Sequence, residues 1–163
     1  MSYVQGGKRW DEKMHSMHML IGQISARVDE KFRVAFPKQF RETIGKKIVV
    51  TQGFEGSLIL VAESNWKALL EGTEGKTFID GGVRDLQRYL LGCASSVELD
   101  EKGRILLPQY LRMFAQIETD VIFLGISRYI ELWDRKRWDV YHTGLTKRIE
   151  SVTEKLSRNN GNE

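Results

Sequence analysis

A single cysteine, two prolines and three histidines remove several classes of protein at once. Cys93 has no second cysteine for an intramolecular disulfide, and no Cys/His metal framework can be assembled from so few ligands. A reducing cytoplasm is the compartment that fits. Apolar runs are short, and Val121-Ile-Phe-Leu and Ser57-Leu-Ile-Leu-Val-Ala fall far below the roughly 20 residues that span a bilayer. The N-terminal segment carries basic side chains with no apolar stretch behind them, so it does not read as a secretion signal. No glycine-rich phosphate loop, zinc spacing or nucleotide fingerprint occurs. Neither charge dominates, since 25 Lys and Arg stand against 22 Asp and Glu, a net +3. That balance allows a nucleic-acid partner without requiring one. What is present is an ordinary globular composition, 41% hydrophobic and 10% aromatic, the length of one domain or two small ones.

An internal repeat organises the chain. Ala26-Arg-Val-Asp29-Glu-Lys-Phe-Arg33-Val-Ala-Phe-Pro37-Lys-Gln-Phe40-Arg41 aligns with Val97-Glu-Leu-Asp100-Glu-Lys-Gly-Arg104-Ile-Leu-Leu-Pro108-Gln-Tyr-Leu111-Arg112. The aspartates, both pairs of arginines and the prolines are each displaced by 71 positions. The likeness continues from Lys47-Ile-Val-Val-Thr into Asp120-Val-Ile-Phe-Leu, and each copy ends near a tryptophan, Trp66 and Trp138. Two units of about 45 residues result, spanning 19–66 and 94–138. A unit that small exposes too much surface to hold a core alone, so the two are expected to pair about a pseudo-two-fold axis or with units of other chains. Residues 67–93 read as a helical connector, 1–18 as an extension expected to be disordered, and 139–163 as a C-terminal helix and tail.

Within each unit the local signals agree. Arg33-Val-Ala-Phe and Arg104-Ile-Leu-Leu alternate, placing Val34 with Phe36, and Ile105 with Leu107, on one strand face and the arginine off it. Pro37 and Pro108 suit the first position of a short helix, with Phe40 and Ile44 one turn apart and Gly45 as a stop. Strands are expected over Lys47–Thr51, Ser57–Val61, Val121–Leu124 and Tyr129–Trp133, with turns at Gln52-Gly-Phe-Glu-Gly and Gly125-Ile-Ser-Arg. Between the units, Asn65 to Leu70 and Val83 to Leu91 read as helices, broken by Gly72-Thr-Glu-Gly-Lys and Gly81-Gly82. Ile149, Val152 and Leu156 mark a marginal amphipathic helix that frays.

Two copies of Asp-x-x-x-Arg, each followed by an apolar triplet, Pro and an Arg-bearing helix, resemble the MraZ family, whose chains hold two tandem AbrB-type swapped-hairpin units. The likeness runs from Met19 to Tyr141, and Asp100-Glu-Lys-Gly-Arg104-Ile-Leu-Leu-Pro108 matches the family pattern closely. The resemblance implies a mainly β fold with short helices, its two pseudo-symmetric units forming a small barrel-like core linked by helices. It also implies a cytoplasmic, nucleoid-associated transcriptional regulator, read as a repressor. Such a protein assembles as a homo-oligomeric ring and binds short direct repeats of double-stranded DNA upstream of the division and cell-wall gene cluster. The family's DNA-contacting loop carries over onto Asp29 to Arg33 and Asp100 to Arg104. Phe32 departs from the pattern, standing where Gly103 stands in the second copy, so the first loop is expected to make its positive-φ turn less cheaply and to present Arg33 differently. Residues 1–18 precede the usual family start, as a tag, a misassigned start or a real extension. No cofactor, metal, membrane or small-molecule substrate is expected.

Read without the family, Lys31, Arg33, Lys102 and Arg104 have two explanations. They form a cationic patch that tracks phosphates and forks an arginine onto a guanine edge, or Asp29–Arg33 and Asp100–Arg104 are internal ion pairs that steady a turn. The resemblance favours DNA contact for the arginines and lysines and leaves Asp29 and Asp100 to orient the loop, because a carboxylate facing a phosphate repels it. Arg41 and Arg112 are open between phosphate contact and plain capping of the helix C-terminus. An enzyme is the competing class, because the two aspartates form a symmetric carboxylate pair. Their Lys and Arg neighbours should keep both ionised, however, and no Ser-His or Cys-His grouping accompanies them. A third reading is a ring-forming structural or antitoxin-like module that binds a protein rather than a specific DNA.

Overall fold

A computed structural model of the chain describes residues 19–70 and 80–159. The expectations for residues 1–18, for Gly72-Thr-Glu-Gly-Lys and for the last four positions lie outside the described residues. The first repeat contributes β1 (Leu20–Arg27), β2 (Arg33–Ala35), α1 (Lys38–Ile44), β3 (Lys47–Gln52) and β4 (Leu58–Ala62). A 3-10 turn (Glu63–Asn65), α2 (Trp66–Leu70) and α3 (Gly81–Leu90) follow. The second repeat supplies β5 (Ser95–Glu98), β6 (Arg104–Leu106), α4 (Gln109–Phe114), β7 (Asp120–Ser127) and β8 (Tyr129–Asp134), and α5 (Arg135–Asn159) closes the described chain.

The two repeats are intertwined. One sheet runs β1-β7-β8-β4-β3-β5 and a separate two-stranded ribbon joins β2 to β6. The first strand of each repeat thus pairs with the third strand of the other: Ala26 sits opposite Val121 and Val97 opposite Ile48. The pseudo-two-fold axis passes between Ile59 and Glu131 in the sheet and between Val34 and Ile105 in the ribbon, the central pairs of β4–β8 and β2–β6. The mainly β architecture is the expected one, with several short helices and one long one, the 25-residue α5. Hydrogen bonding does not close it into a barrel, because β1 and β5 are the two edges of the sheet.

Alternation in sequence becomes burial in space. Val34, Phe36, Ile105 and Leu107 are all buried, together with Phe40 and Ile44 of α1 and Leu111 of α4, between the ribbon and the inner sheet face. Gly45 ends α1 with φ of 76°, a left-handed position that glycine adopts at little cost. Pro37 and Pro108 stand one residue earlier than expected. Each is the residue before the helix rather than its first, with ψ near that of a strand. On the outer face, Trp138 and Tyr141 of α5 cover Ile122, Leu124 and Trp133.

Three further differences each have a physical reason. Strands β1 and β5 were not foreseen, since most of their residues remain exposed or half-buried and carry little apolar signal. β7 runs past Gly125 to Ser127, because its partner β1 extends that far and holds it. The C-terminal helix starts at Arg135 and includes Trp138, which the stacked Trp133–Tyr141 contact pins to the sheet. No helix among the described residues is long and apolar enough to cross a membrane.

Candidate nucleic-acid interface

The ribbon sets the frame. In its three-residue register Arg33 faces Leu106, Val34 faces Ile105, and Ala35 faces Arg104. Paired residues share a face and successive residues alternate, so the buried Val34–Ile105 pair turns Arg33, Ala35, Arg104 and Leu106 together to the outside. The two arginines occupy diagonal corners of that patch.

Each arginine is aimed by the loop that precedes it. Asp29 Oδ1 accepts from the backbone N–H groups of Lys31 and Arg33, both at 2.9 Å, while Oδ2 accepts from Arg33 Nε at 2.9 Å and lies 2.7 Å from Nη2. Asp100 repeats the arrangement with Lys102 N, Arg104 N and Arg104 Nε at 2.9, 2.9 and 2.8 Å. The guanidinium and amide donors of Arg33 hold the Asp29 carboxyl down at about 2. The Arg104 amide and side chain lower Asp100 in the same way. Both aspartates therefore orient their loops, and the internal ion pairs of one sequence reading exist in both copies. They coexist with exposure, because each arginine keeps roughly a quarter to a third of its side chain in solvent.

Phe32 does not alter this geometry. It takes φ of 61° where Gly103 takes 72°, and the hydrogen bonds around it match those of the second loop within a tenth of an ångström. The expectation that the first loop presents Arg33 differently is corrected accordingly. A reason for the tolerance lies across the pseudo-axis, where the Arg112 guanidinium carbon sits 3.6 Å from the Phe32 ring centroid. At the matching place Arg41 lies against Gly103 so closely that any side chain there would meet its guanidinium.

Arg41 and Arg112, each in the last turn of its short helix, also lie against the loop of the opposite repeat. Each reaches from its own repeat to prop the loop of the other. Arg41 Nε donates to Phe36 O at 2.8 Å, whereas Arg112 Nε is buried with no partner among the described residues. Lys31 and Lys102 are exposed at the loop tips. Taken with Glu30 and Glu101, the loops themselves are formally neutral, and the six cations of the site exceed its four carboxylates only because Arg41 and Arg112 join it.

That balance suits directed contacts better than diffuse phosphate attraction. It suits acid–base chemistry poorly, since a carboxyl held near 2 by three donors is a weak base at neutral pH. Among the described residues no group of three His, Cys, Asp or Glu is placed to hold a metal. His142 stacks on Trp138, and half-buried Cys93 offers its carbonyl to the Tyr110 hydroxyl. Sequence reading missed Leu106 as an exposed apolar member of the patch, and Phe32 as an exposed ring in the loop beside it. Leu106 was legible from its alternation with Ile105, but its position opposite Arg33 depends on strand pairing across the repeats.

A family model described as "MraZ protein, putative antitoxin-like" matches residues 19–88 and again 90–160. A protein named transcriptional regulator MraZ from Acetivibrio thermocellus is 36% identical over 139 residues, covering 85% of this chain and 97% of its own. Its namesake from Caldanaerobacter subterraneus subsp. tengcongensis is 36% identical over 142 residues, 87% and 99% of the two chains. That from Heliobacterium modesticaldum is 35% identical over 138 residues, 85% and 96%.

Proposed function

The chain belongs to the MraZ family, and from that premise we propose that it is a DNA-binding transcriptional regulator that meets duplex DNA with the outward face of its β2–β6 ribbon. The observation that carries the reading is the twin Asp–Arg lock. Two loops from different repeats deliver Arg33 and Arg104 to one exposed face in matching geometry. Because the carboxylate holds one edge of the guanidinium, at Nε and in the first loop at Nη2 as well, the outer N–H groups remain to fork onto the O6 and N7 acceptors of a guanine in the major groove. Lys31 and Lys102 contact phosphates, Arg41 and Arg112 brace the loops within reach of the backbone, and Asp29 and Asp100 orient. The relatives' shared name, transcriptional regulator, supports the regulator reading.

One chain offers a single pair of loops with a small surplus of positive charge, and non-specific binding of that size is weak at physiological salt. Affinity then comes from several copies. A head-to-tail homo-oligomeric ring places loop pairs on successive turns of the duplex, and each later contact is effectively intramolecular. Its target is a set of short direct repeats, in the promoter of the division and cell-wall gene cluster, spaced about one helical turn of 10–10.5 bp. The protein acts in the cytoplasm on the nucleoid.

A gel shift with the DNA upstream of the chain's own gene tests the reading. Inserting half a turn between two repeats should cost far more affinity than inserting a full turn, and equal losses would sink the ring-on-repeats arrangement. The family description also prints antitoxin-like, which favours a second reading, a module that binds a protein partner. Retention on a DNA column that falls steeply with salt separates the two.

A further inference from the structure

The outward face of the ribbon is symmetric in its arginines and lopsided in bulk. At one end Arg33 follows Phe32 and lies opposite Leu106, while at the other Arg104 follows Gly103 and lies opposite Ala35. Phe32 is 47% exposed and Leu106 58%. Two large apolar side chains are therefore exposed about Arg33, Leu106 across the ribbon from it and Phe32 before it in the loop, where the pseudo-symmetric positions hold Ala35 and Gly103.

Core packing does not account for this. A residue with a Cβ is strained at φ of 61°, and an exposed ring gains little from the core. The ring is nonetheless held in place by Arg112, whose Nε is buried without a partner among the described residues. Both departures from low energy converge on Phe32. The neighbours indicate what it faces: Lys31 and Arg33 flank it in sequence, and Arg33 lies on the same outward face as Leu106. An arginine fork beside an apolar group complements a major-groove edge where guanine acceptors adjoin the C5-methyl of a thymine.

We propose that Phe32 and Leu106 form an apolar reading element for thymine methyl groups, so that the two ends of one chain read unequal half-sites. The inference rests on the DNA-binding reading above and deepens it. A face with equal ends would read a palindrome and leave orientation undefined. A lopsided face fixes the polarity of the element, as repeats lying in one orientation require.

The probe is a duplex carrying the segment upstream of the chain's own gene, trimmed to the shortest piece that is still bound. Its thymines are replaced one at a time by deoxyuridine, which removes only the methyl group. The wild-type chain should lose about fourfold in affinity for each contacted methyl, at positions confined to one half of each repeat. Phe32→Gly, which suits the left-handed backbone, and Leu106→Ala should no longer distinguish thymine from uracil at those positions. Binding that ignores the methyl groups, sensitivity shared equally by both halves, or sensitivity unchanged in both variants overturns the proposal and leaves DNA binding standing. Failure of the wild-type chain to bind any such duplex overturns the DNA-binding reading itself.

Discussion

In the first repeat the chain reaches its loop arginine through Phe32, and in the second through Gly103. The backbone turns alike in both, and the aspartate locks agree bond for bond. What differs is the arginine that arrives from across the axis: Arg112 stacks on a ring in one case, and Arg41 fills the space above a bare Cα in the other. Loop geometry is thus set by the Asp-x-x-x-Arg hydrogen bonds, which are local, and the fourth residue only decides what surface the loop shows. The two units share their mechanics and differ in the face they show.

The largest effect should come from breaking what the halves share. Ile105 is fully buried on the pseudo-axis, so Ile105→Ala should cost about 2–5 kcal/mol in chemical denaturation, and Val34→Ala less because it removes fewer atoms. A loss well below 1 kcal/mol for Ile105→Ala would mean that the ribbon does not hold the two repeats together.

Next in size are the arginines. Arg33→Ala and Arg104→Ala should each weaken DNA binding by about 1–3 kcal/mol, since each guanidinium is aimed by the same kind of lock. Gel shifts with both variants decide it. A drop in melting temperature with unchanged binding would reduce the locks to structural braces.

Exchanging the fourth residue sharpens the contrast. Gly103→Phe should destabilise by roughly 1–2 kcal/mol from backbone strain alone, with more from collision with Arg41. Phe32→Gly relieves the same strain and forfeits an arginine–aromatic contact of about 0.5–1 kcal/mol, so its melting temperature should hardly move. Equal and opposite shifts for the two substitutions would contradict the different bracing of the loops.

The smallest effect is acid sensitivity. Asp29 falls from 3.8 to about 2 in the folded chain, and Asp100 is lowered too. A depressed carboxyl stabilises the fold above its unfolded value and loses that contribution as pH drops through the folded one. The locks should therefore be at full strength above pH of about 4 and fade toward about 2. Melting temperatures over that range should fall less steeply for Asp29→Asn than for wild type.

Much of this molecule follows from neighbours along the chain. The displacement of 71 positions marks the repeat, alternation around Val34 and Ile105 marks the buried face, and Gly45 marks a helix end. The loops were legible as well, because an aspartate two and four residues before the amides it accepts is a short-range device. Which of the two explanations for the arginines applied was not legible, since an ion pair and an exposed guanidinium look alike in sequence. Only the tertiary structure decided that β1 crosses to β7 and β5 to β3, that Arg41 and Arg112 lie against the loops of the opposite repeats, and that Leu106 stands across from Arg33. Those choices join residues tens of positions apart through strands whose side chains are mostly exposed or half-buried. Their pairing is fixed by backbone hydrogen bonds and by the need of two small units to bury one core, and neither leaves a pattern in the letters of either strand.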